Sequence, residues 1–520
     1  MLSLLLACFT DKGLDIAESA EAVCDGQEPL LNSSTGCIQG VQHQGLSMFL
    51  GIPYAQPPVG DLRWKRTQPV LPWNDTIIAD SLSDACTQPD SSTGFYGAED
   101  CLTLNIFRPE VLPDDPLPIL FFTHGGSYIA GMGSFNVYNL PPMIAEQSIF
   151  ITHNYRLGVF GFLAHDELTR EDAAENGGSG TSGNVGLYDT LTALQWVHDN
   201  AEALGGDPSQ IMIFGESAGA YTTCMLLLHP ESEGLFSSAI VQSSGCTFIS
   251  STLQQAEQQG REYESDLGCD SLACMRAATT EEIMNIDSGP VLGPGSGFAP
   301  NFDGVFLPQA PFTMFHYGDL HKVPVAMGIN GNEGSLFIRY LGLTEEEELE
   351  ETIRYYGNYF GISDLDSLVA MYTSSEYGGV QDAMDQFYGD LFFTCSARLA
   401  LDLIDHFTPT YAYYYTHEPS WLSANGLNGW GAYHGSELPF VFGTGMNYLP
   451  ISEQSFAEQM QNTWINFAQN VYDTEGAGRW EKYNSGSGDR WLSLHTDGFD
   501  MISNVRQEQC DFFFEQWFGQ

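Results

Sequence analysis

The sequence predicts an α/β fold, with a mainly parallel central sheet and helices on both faces. Three observations predict it. Short apolar runs recur along the chain, helical patterns lie between them, and the order alternates strand with helix. In chain order the runs are 117–123 (LPILFFT), 149–154 (IFITHN), 211–214 (IMIF), 239–242 (AIVQ), 323–328 (VPVAMG) and 411–415 (YAYYY). Each is short and apolar enough for a strand covered on both faces. The helical segments include 186–200, with Leu187, Leu191, Leu194 and Val197 at helical spacing, and 218–228, which follows the run 211–214 almost directly. Strands joined through helices pair in parallel, because the crossover brings the chain back to the same end of the sheet. The stretch 177–183 (GGSGTSG) reads as a surface loop. With no internal repeat and no break in composition, residues 24–520 are expected to form a single domain.

Composition narrows the functional classes. Hydrophobic residues make up 43% and aromatics 13% of 520 residues, which is enough for a large packed core and excludes a disordered or fibrous chain. Asp+Glu 67 against Lys+Arg 17 gives a net charge of −50. Such a surface repels phosphates, so nucleic acid is excluded as a partner. The dense acidic run Glu345 to Glu348, with Glu350 and Glu351, reads as a solvated helix face.

Eleven cysteines, several in close pairs (Cys24/Cys37, Cys86/Cys101, Cys269/Cys274), point to disulfides and an oxidising compartment. None forms a CxxC, and no Cys/His cluster has zinc spacing, so no metal is expected. Residues 1–7 (MLSLLLA) followed by Cys8 read as a lipoprotein-type signal peptide over 1–8, with a plain secretion signal as the alternative. Lipid on Cys8 would be the one link to a membrane, since no later run is long and apolar enough to span one. Residues 9–23 are polar and acidic and read as a tether. The expected product is secreted or held at the cell surface.

The chemistry concentrates in two turns. Gly215-Glu216-Ser217-Ala218-Gly219 follows the run 211–214 and opens a helix. A sharp strand-to-helix turn exposes Ser217 Oγ, small neighbours permit the crowding, and the helix N-terminus offers backbone N–H groups to a developing oxyanion. His124-Gly125-Gly126-Ser127 follows the run 117–123 and can aim further N–H groups into the same cleft. A serine hydroxyl needs a general base, usually a histidine oriented by a carboxylate.

At this point the chain resembles the type-B carboxylesterase/cholinesterase-like family of α/β-hydrolases, over roughly residues 36–515. The resemblance rests on separated motifs: 49–55 (FLGIPYA) with 57–60 and 62–64, 99–105 (EDCLTLN), 154–156 (NYR), 205–208 (GGDP) and 242–245 (QSSG). It implies an α/β-hydrolase fold and a Ser-Glu-His triad in that chain order, with no cofactor. The family's acid segment matches 328–334 (GINGNEG), which assigns Glu333. Asp303 is the competing carboxylate, but it lies in a segment resembling a structural turn of the family. Four histidines follow the acid: His406, His417, His434 and His495. Only His434, in 432–440 (AYHGSELPF), lies in a family-like segment, and His417 reads as a packed core residue. The family's oxyanion donors map onto the N–H groups of Gly126, Ser127 and Ala218. Ser127 departs from the pattern, standing where a third glycine is usual, and its side chain should crowd bulky acyl groups and tertiary alcohols. Glu216 reads as a buried carboxylate behind the nucleophile.

The resemblance also implies the pairs Cys86–Cys101, Cys269–Cys274 and Cys395–Cys510. Cys24–Cys37 is a plausible further pair without that support, Cys224 reads as a buried free thiol, and Cys246 has no assignment. The Cys86–Cys101 loop is short, whereas the family's lipases carry a long lid there. It holds Phe95 and Tyr96 but no Trp, the residue with which cholinesterases hold quaternary ammonium. The expected activity is therefore that of an exported serine carboxylesterase acting on short- to medium-chain esters. A lipase or sterol esterase is the alternative within the class. A non-catalytic adhesion relative, from a different class, is disfavoured because the triad and the oxyanion loop are all present. The charge of −50 should also stabilise the His434 imidazolium at low salt, raising the pH at which activity appears.

Overall fold

The computed structural model describes residues 24–519 apart from 25, 91, 140–142, 248–250, 287–296, 445–448, 471–472 and 475–477. The expected signal peptide 1–8, Cys8 and the tether 9–23 lie outside the described residues. The organising element is an 11-stranded sheet. In chain order its strands are β1 (Val41–His43), β2 (Leu46–Pro53), β3 (Thr103–Pro109), β4 (Leu117–Thr123), β5 (Ile149–His153) and β6 (Gly206–Glu216). Then follow β7 (Ser238–Gln242), β8 (Val325–Asn330), β9 (Thr410–Tyr415), β10 (Arg490–His495) and β11 (Gly498–Ser503). Across the sheet the order is β11-β10-β9-β8-β7-β6-β4-β5-β3-β2-β1. Every neighbouring pair from β10 to β5 is parallel. Both edges are antiparallel, through β11 on one side and β3, β2 and β1 on the other. The α/β-hydrolase fold is therefore present, on a mixed sheet whose centre is parallel.

Alternation along β4 explains the layering. Ile119 and Phe121 join one core with Leu187, Leu191, Leu194 and Val197 of helix α1 (Val185–Leu204) and with helix α2 (Ala218–Leu228). Leu120 and Phe122 point the other way, into a second core with Phe456, Met460 and Trp464 of helix α3 (Ile451–Ala468). Successive strand residues face opposite sides, so a run apolar at every position is covered on both faces. A third core gathers Ile353, Leu368, Phe387 and Leu391 with Phe513 of the C-terminal helix α4 (Gln507–Phe518). The acidic run continues into the helix Glu346–Tyr359, whose first turn carries Glu346, Glu347 and Glu348. That placement suits the positive end of the helix dipole.

Disulfides join Cys24–Cys37, Cys86–Cys101, Cys269–Cys274 and Cys395–Cys510. Cys224 is not the free thiol expected from the sequence: it pairs with Cys246, at a Cα–Cα distance of 5.6 Å. The two lie on segments that meet only because β7 is parallel to β6, so the chain leaving β7 passes the side of α2. Both are fully buried, and burial of Cys224 is the property that reads equally well as an inert thiol.

Candidate active site

The site stands at the carboxyl ends of β4, β6 and β8, where parallel sheets of this kind leave their crevice. Ser217 is the single residue between β6 and α2, and its backbone sits at φ 56°, ψ −121°. A non-glycine residue at positive φ is strained, and the surroundings enforce it here. A Cβ on Gly219 would meet the Thr123 carbonyl oxygen at 2.0 Å, and one on Gly215 would meet Gly219 backbone at 2.4 Å. The turn can close only with glycine at both places, which leaves Ser217 half-buried at the cleft while Ala218 starts the helix.

Glu333 and His434 arrive from distant segments. Glu333 lies just past β8, 1% exposed, and its Oε1 accepts from the Asn330 N–H at 2.6 Å. That bond fixes the carboxylate so that Oε2 accepts from His434 Nδ1 at 2.6 Å. His434 itself is held in a loop tied by the Asn332 N–H to the Ala432 carbonyl (2.9 Å) and by Asn330 Nδ2 to the Tyr433 carbonyl (2.9 Å). With Nδ1 engaged, only Nε2 of the ring is left unbonded. Glu216 Oε1 lies 3.0 Å from it. The rings of Phe337 and Phe393 pack on the imidazole, with centroids at 4.9 and 4.7 Å.

The turn that carries Gly126 and Ser127 lies against the one that carries Ala218: a Cβ on Gly125 would meet Ser217 Cβ at 3.0 Å and the Glu216 carbonyl oxygen at 2.8 Å. Among the described residues, nothing accepts from the N–H of Gly126, Ser127 or Ala218. Ser127 has φ 55° and the following Tyr128 φ 64°, so the position usual for glycine keeps its glycine-type backbone with a serine on it. Asp303, the competing acid, is turned elsewhere. Its Oδ1 accepts from the N–H groups of Val305 and Leu307, and its Oδ2 from Thr181 and Asn184, which makes it the keystone of a turn. His417 donates instead to Glu453 at 2.8 Å, in an aromatic surround.

Electrostatics are set by a buried acid cluster that the sequence reading did not anticipate in full. Glu216 is buried as expected, but Glu437 joins it, 0% exposed and accepting from Gln242 Nε2 (3.0 Å) and Asn330 Nδ2 (2.6 Å). Its signal was its position three residues after His434, one turn along the same loop. Burial opposes a charge on His434, but the carboxylates of Glu216 and then Glu333 outweigh it and push the imidazole up to about 9. Burial pushes Glu216 up as well; nearby Glu437 and Glu333 add to this, while His434 opposes it.

The loop Cys86–Cys101 forms a small hairpin, Gln88–Asp90 paired with Gly94–Tyr96, and Gln88 ties it to Gly131. Phe95 is half-buried on it and Tyr96 is 39% exposed.

Sequence comparison agrees with this architecture. The model of the carboxylesterase family matches residues 27–513. An acetylcholinesterase of Bungarus fasciatus is 31% identical over 553 aligned residues, covering 95% of this chain and 88% of its own. A cholinesterase of Mus musculus is 30% identical, covering 93% of this chain and 86% of its own. A fumonisin B1 esterase of Sphingopyxis macrogoltabida is also 30% identical, covering 89% and 86%. A family match over nearly the whole chain, on a hydrolase-type sheet with a serine at its strand-to-helix turn, has one reading: the chain belongs to the carboxylesterase family and is a carboxylic ester hydrolase.

Proposed function

We propose that Ser217, His434 and Glu333 are the nucleophile, general base and orienting acid of an exported serine esterase for short- to medium-chain esters. One observation carries the reading. His434 gives Nδ1 to Glu333 at 2.6 Å and keeps Nε2 unbonded, 3.0 Å from Glu216, the residue before the strained Ser217. Ser217 Oγ adds to the ester carbonyl while its proton passes to His434 Nε2. The oxyanion takes hydrogen bonds from Gly126, Ser127 and Ala218. Collapse breaks the bond to the alkoxide, which leaves with the proton from His434. Water then adds to the acyl-enzyme by the same route, releasing the acid and restoring Ser217.

The short disulfide hairpin supports soluble over interfacial substrates, since it is too small to cover a broad apolar mouth. Its aromatic residues, without a Trp, favour uncharged esters over choline esters despite the names of two relatives. Pairing of all ten cysteines between Cys24 and Cys510 supports export.

The test is the initial rate on p-nitrophenyl acetate, butyrate, octanoate and palmitate, for wild type and Ser217→Ala. Fast turnover of the first two, abolished by Ser217→Ala, is the expected result. A preference for palmitate above its solubility limit would favour a lipase or sterol esterase instead.

A further inference from the structure

The segment 124–131 carries two of the proposed oxyanion donors, and its conformation is one the chain resists. Ser127 and Tyr128 stand consecutively at φ 55° and 64°, a region that non-glycine residues leave unless neighbours hold them. The loop ends at Gly131, which lies against its own beginning: a Cβ there would meet His124 Nδ1 at 2.4 Å and the Gly125 carbonyl at 2.7 Å. Whatever holds Gly131 therefore holds the whole turn closed.

Gln88 holds it. Its Nε2 donates to the Gly131 carbonyl at 2.8 Å, and its Oε1 accepts from the Gly131 N–H at 2.9 Å. The second Nε2 hydrogen goes to the Cys86 carbonyl at 3.0 Å, and Tyr96 Oη donates to Oε1 at 2.8 Å. All four hydrogen-bonding positions of the amide are used, and the side chain is 2% exposed. Asn154 repeats the arrangement on the other side of the same disulfide. It donates to the Cys101 carbonyl at 3.2 Å and accepts from the Gly133 N–H at 2.7 Å. The two half-cystines of one bridge are thus each tied through a side-chain amide to the chain at the end of the oxyanion loop.

We infer that Gln88 is a positioning residue for the oxyanion hole, and that the Cys86–Cys101 hairpin works as a clamp on the donors of Gly126 and Ser127. The inference rests on the proposed triad and its oxyanion donors. Gln88 does not touch the substrate; it acts by fixing where two N–H groups point. Its contribution is therefore felt where the oxyanion exists, in the transition state, more than in the bound ester.

The experiment compares wild type, Gln88→Ala, Gln88→Glu and Tyr96→Phe on p-nitrophenyl butyrate. Active sites are titrated with a fluorophosphonate so that rates are per competent enzyme. Affinity for an aryl trifluoromethyl ketone, whose adduct carries the oxyanion, is measured alongside. For Gln88→Ala the expected result is a kcat loss of about 10- to 100-fold, KM within about threefold, and ketone affinity falling in step with kcat/KM. Gln88→Glu keeps the acceptor for the Gly131 N–H but loses both donors, so its loss is intermediate. Tyr96→Phe removes one of the four bonds and leaves both bonds to Gly131, so its loss is smaller than that of Gln88→Ala. If Gln88→Ala fails to fold, Gln88→Glu decides by the same readouts. A lower melting temperature with kcat per titrated site and ketone affinity unchanged would mean that Gln88 only stabilises the hairpin, and would overturn the inference. If Ser217→Ala keeps the wild-type rate, the proposed triad itself fails and the inference with it. Loss in Ser217→Ala without loss in the Gln88 variants would sink the inference alone.

Discussion

His434 Nε2 lies 3.0 Å from Glu216 Oε1, on the side of the ring opposite its bond to Glu333. The imidazole is therefore flanked by carboxylates at both nitrogens, with Glu437 buried nearby. A general base works when neutral, and two flanking carboxylates favour the charged form. With the imidazole raised to about 9, activity is expected to climb with pH through a range well above that of an ordinary histidine. Replacing Glu216 by Gln removes one of the two flanking carboxylates that raise the imidazole, so the rising limb should move to lower pH, by about one unit or more. The measurement is kcat/KM of p-nitrophenyl butyrate against pH for both enzymes. An unmoved limb would mean that Glu216 does not act on His434.

Salt separates this local effect from the field of the whole molecule. The net charge of −50 acts through solvent, and at 1 M salt the screening length falls to about 3 Å. Glu216, Glu333 and Glu437 are 7%, 1% and 0% exposed, out of reach of that screening. Molar sodium chloride is expected to lower the limb by less than Glu216→Gln does. A larger movement with salt would assign the raised imidazole to the surface charge.

The two candidate acids are distinguished by what each carboxylate already holds. Glu333 Oε2 is given to the imidazole, whereas both oxygens of Asp303 are spent on a turn and its neighbours. Glu333→Gln should reduce kcat by about 10⁴-fold, the scale of a lost triad orienter, with the fold intact by circular dichroism. Asp303→Asn should lower the denaturation midpoint while kcat per titrated site stays within threefold. The reverse pattern would exchange the two roles.

The parts of the sheet that were legible are those whose environment is the same at every residue. The run 117–123 is buried from Pro118 to Thr123, so its apolar continuity marks a strand without further context. Strands β2 and β3 at the edge carry polar and charged residues, Ser47, Asn105 and Arg108 among them, and did not stand out from their flanks. Strand β6 starts five residues before its apolar run, at Gly206, because it pairs with Leu117 across a register shift that depends on β4. The strand-to-helix turn at Ser217 was legible because its pattern is local, in one pentapeptide. Glu437, Gln88 and the Cys224–Cys246 bridge were not. Each is defined by partners 20 to 200 residues away, and nothing in its own neighbourhood distinguishes it from an ordinary buried residue.

Loop length gives the disulfides different weights. Cys395–Cys510 spans 115 residues and ties α4, at the chain's C-terminus, to the third core, whereas Cys269–Cys274 spans 5. In the chain-entropy account a bridge stabilises by restricting the unfolded state, and the effect grows with the logarithm of the loop closed. Replacing both cysteines of the long bridge by serine should therefore cost about 5 kcal/mol, against about 2 kcal/mol for the short one. Denaturant midpoints of the two double variants, under non-reducing conditions, make the comparison. Because Phe513 of α4 shares the third core with Leu391, on the segment that also carries Phe393, the long-bridge variant should also lose activity at denaturant concentrations below its global midpoint. Coincident loss of activity and fold would mean that the C-terminal helix unfolds only with the rest of the molecule.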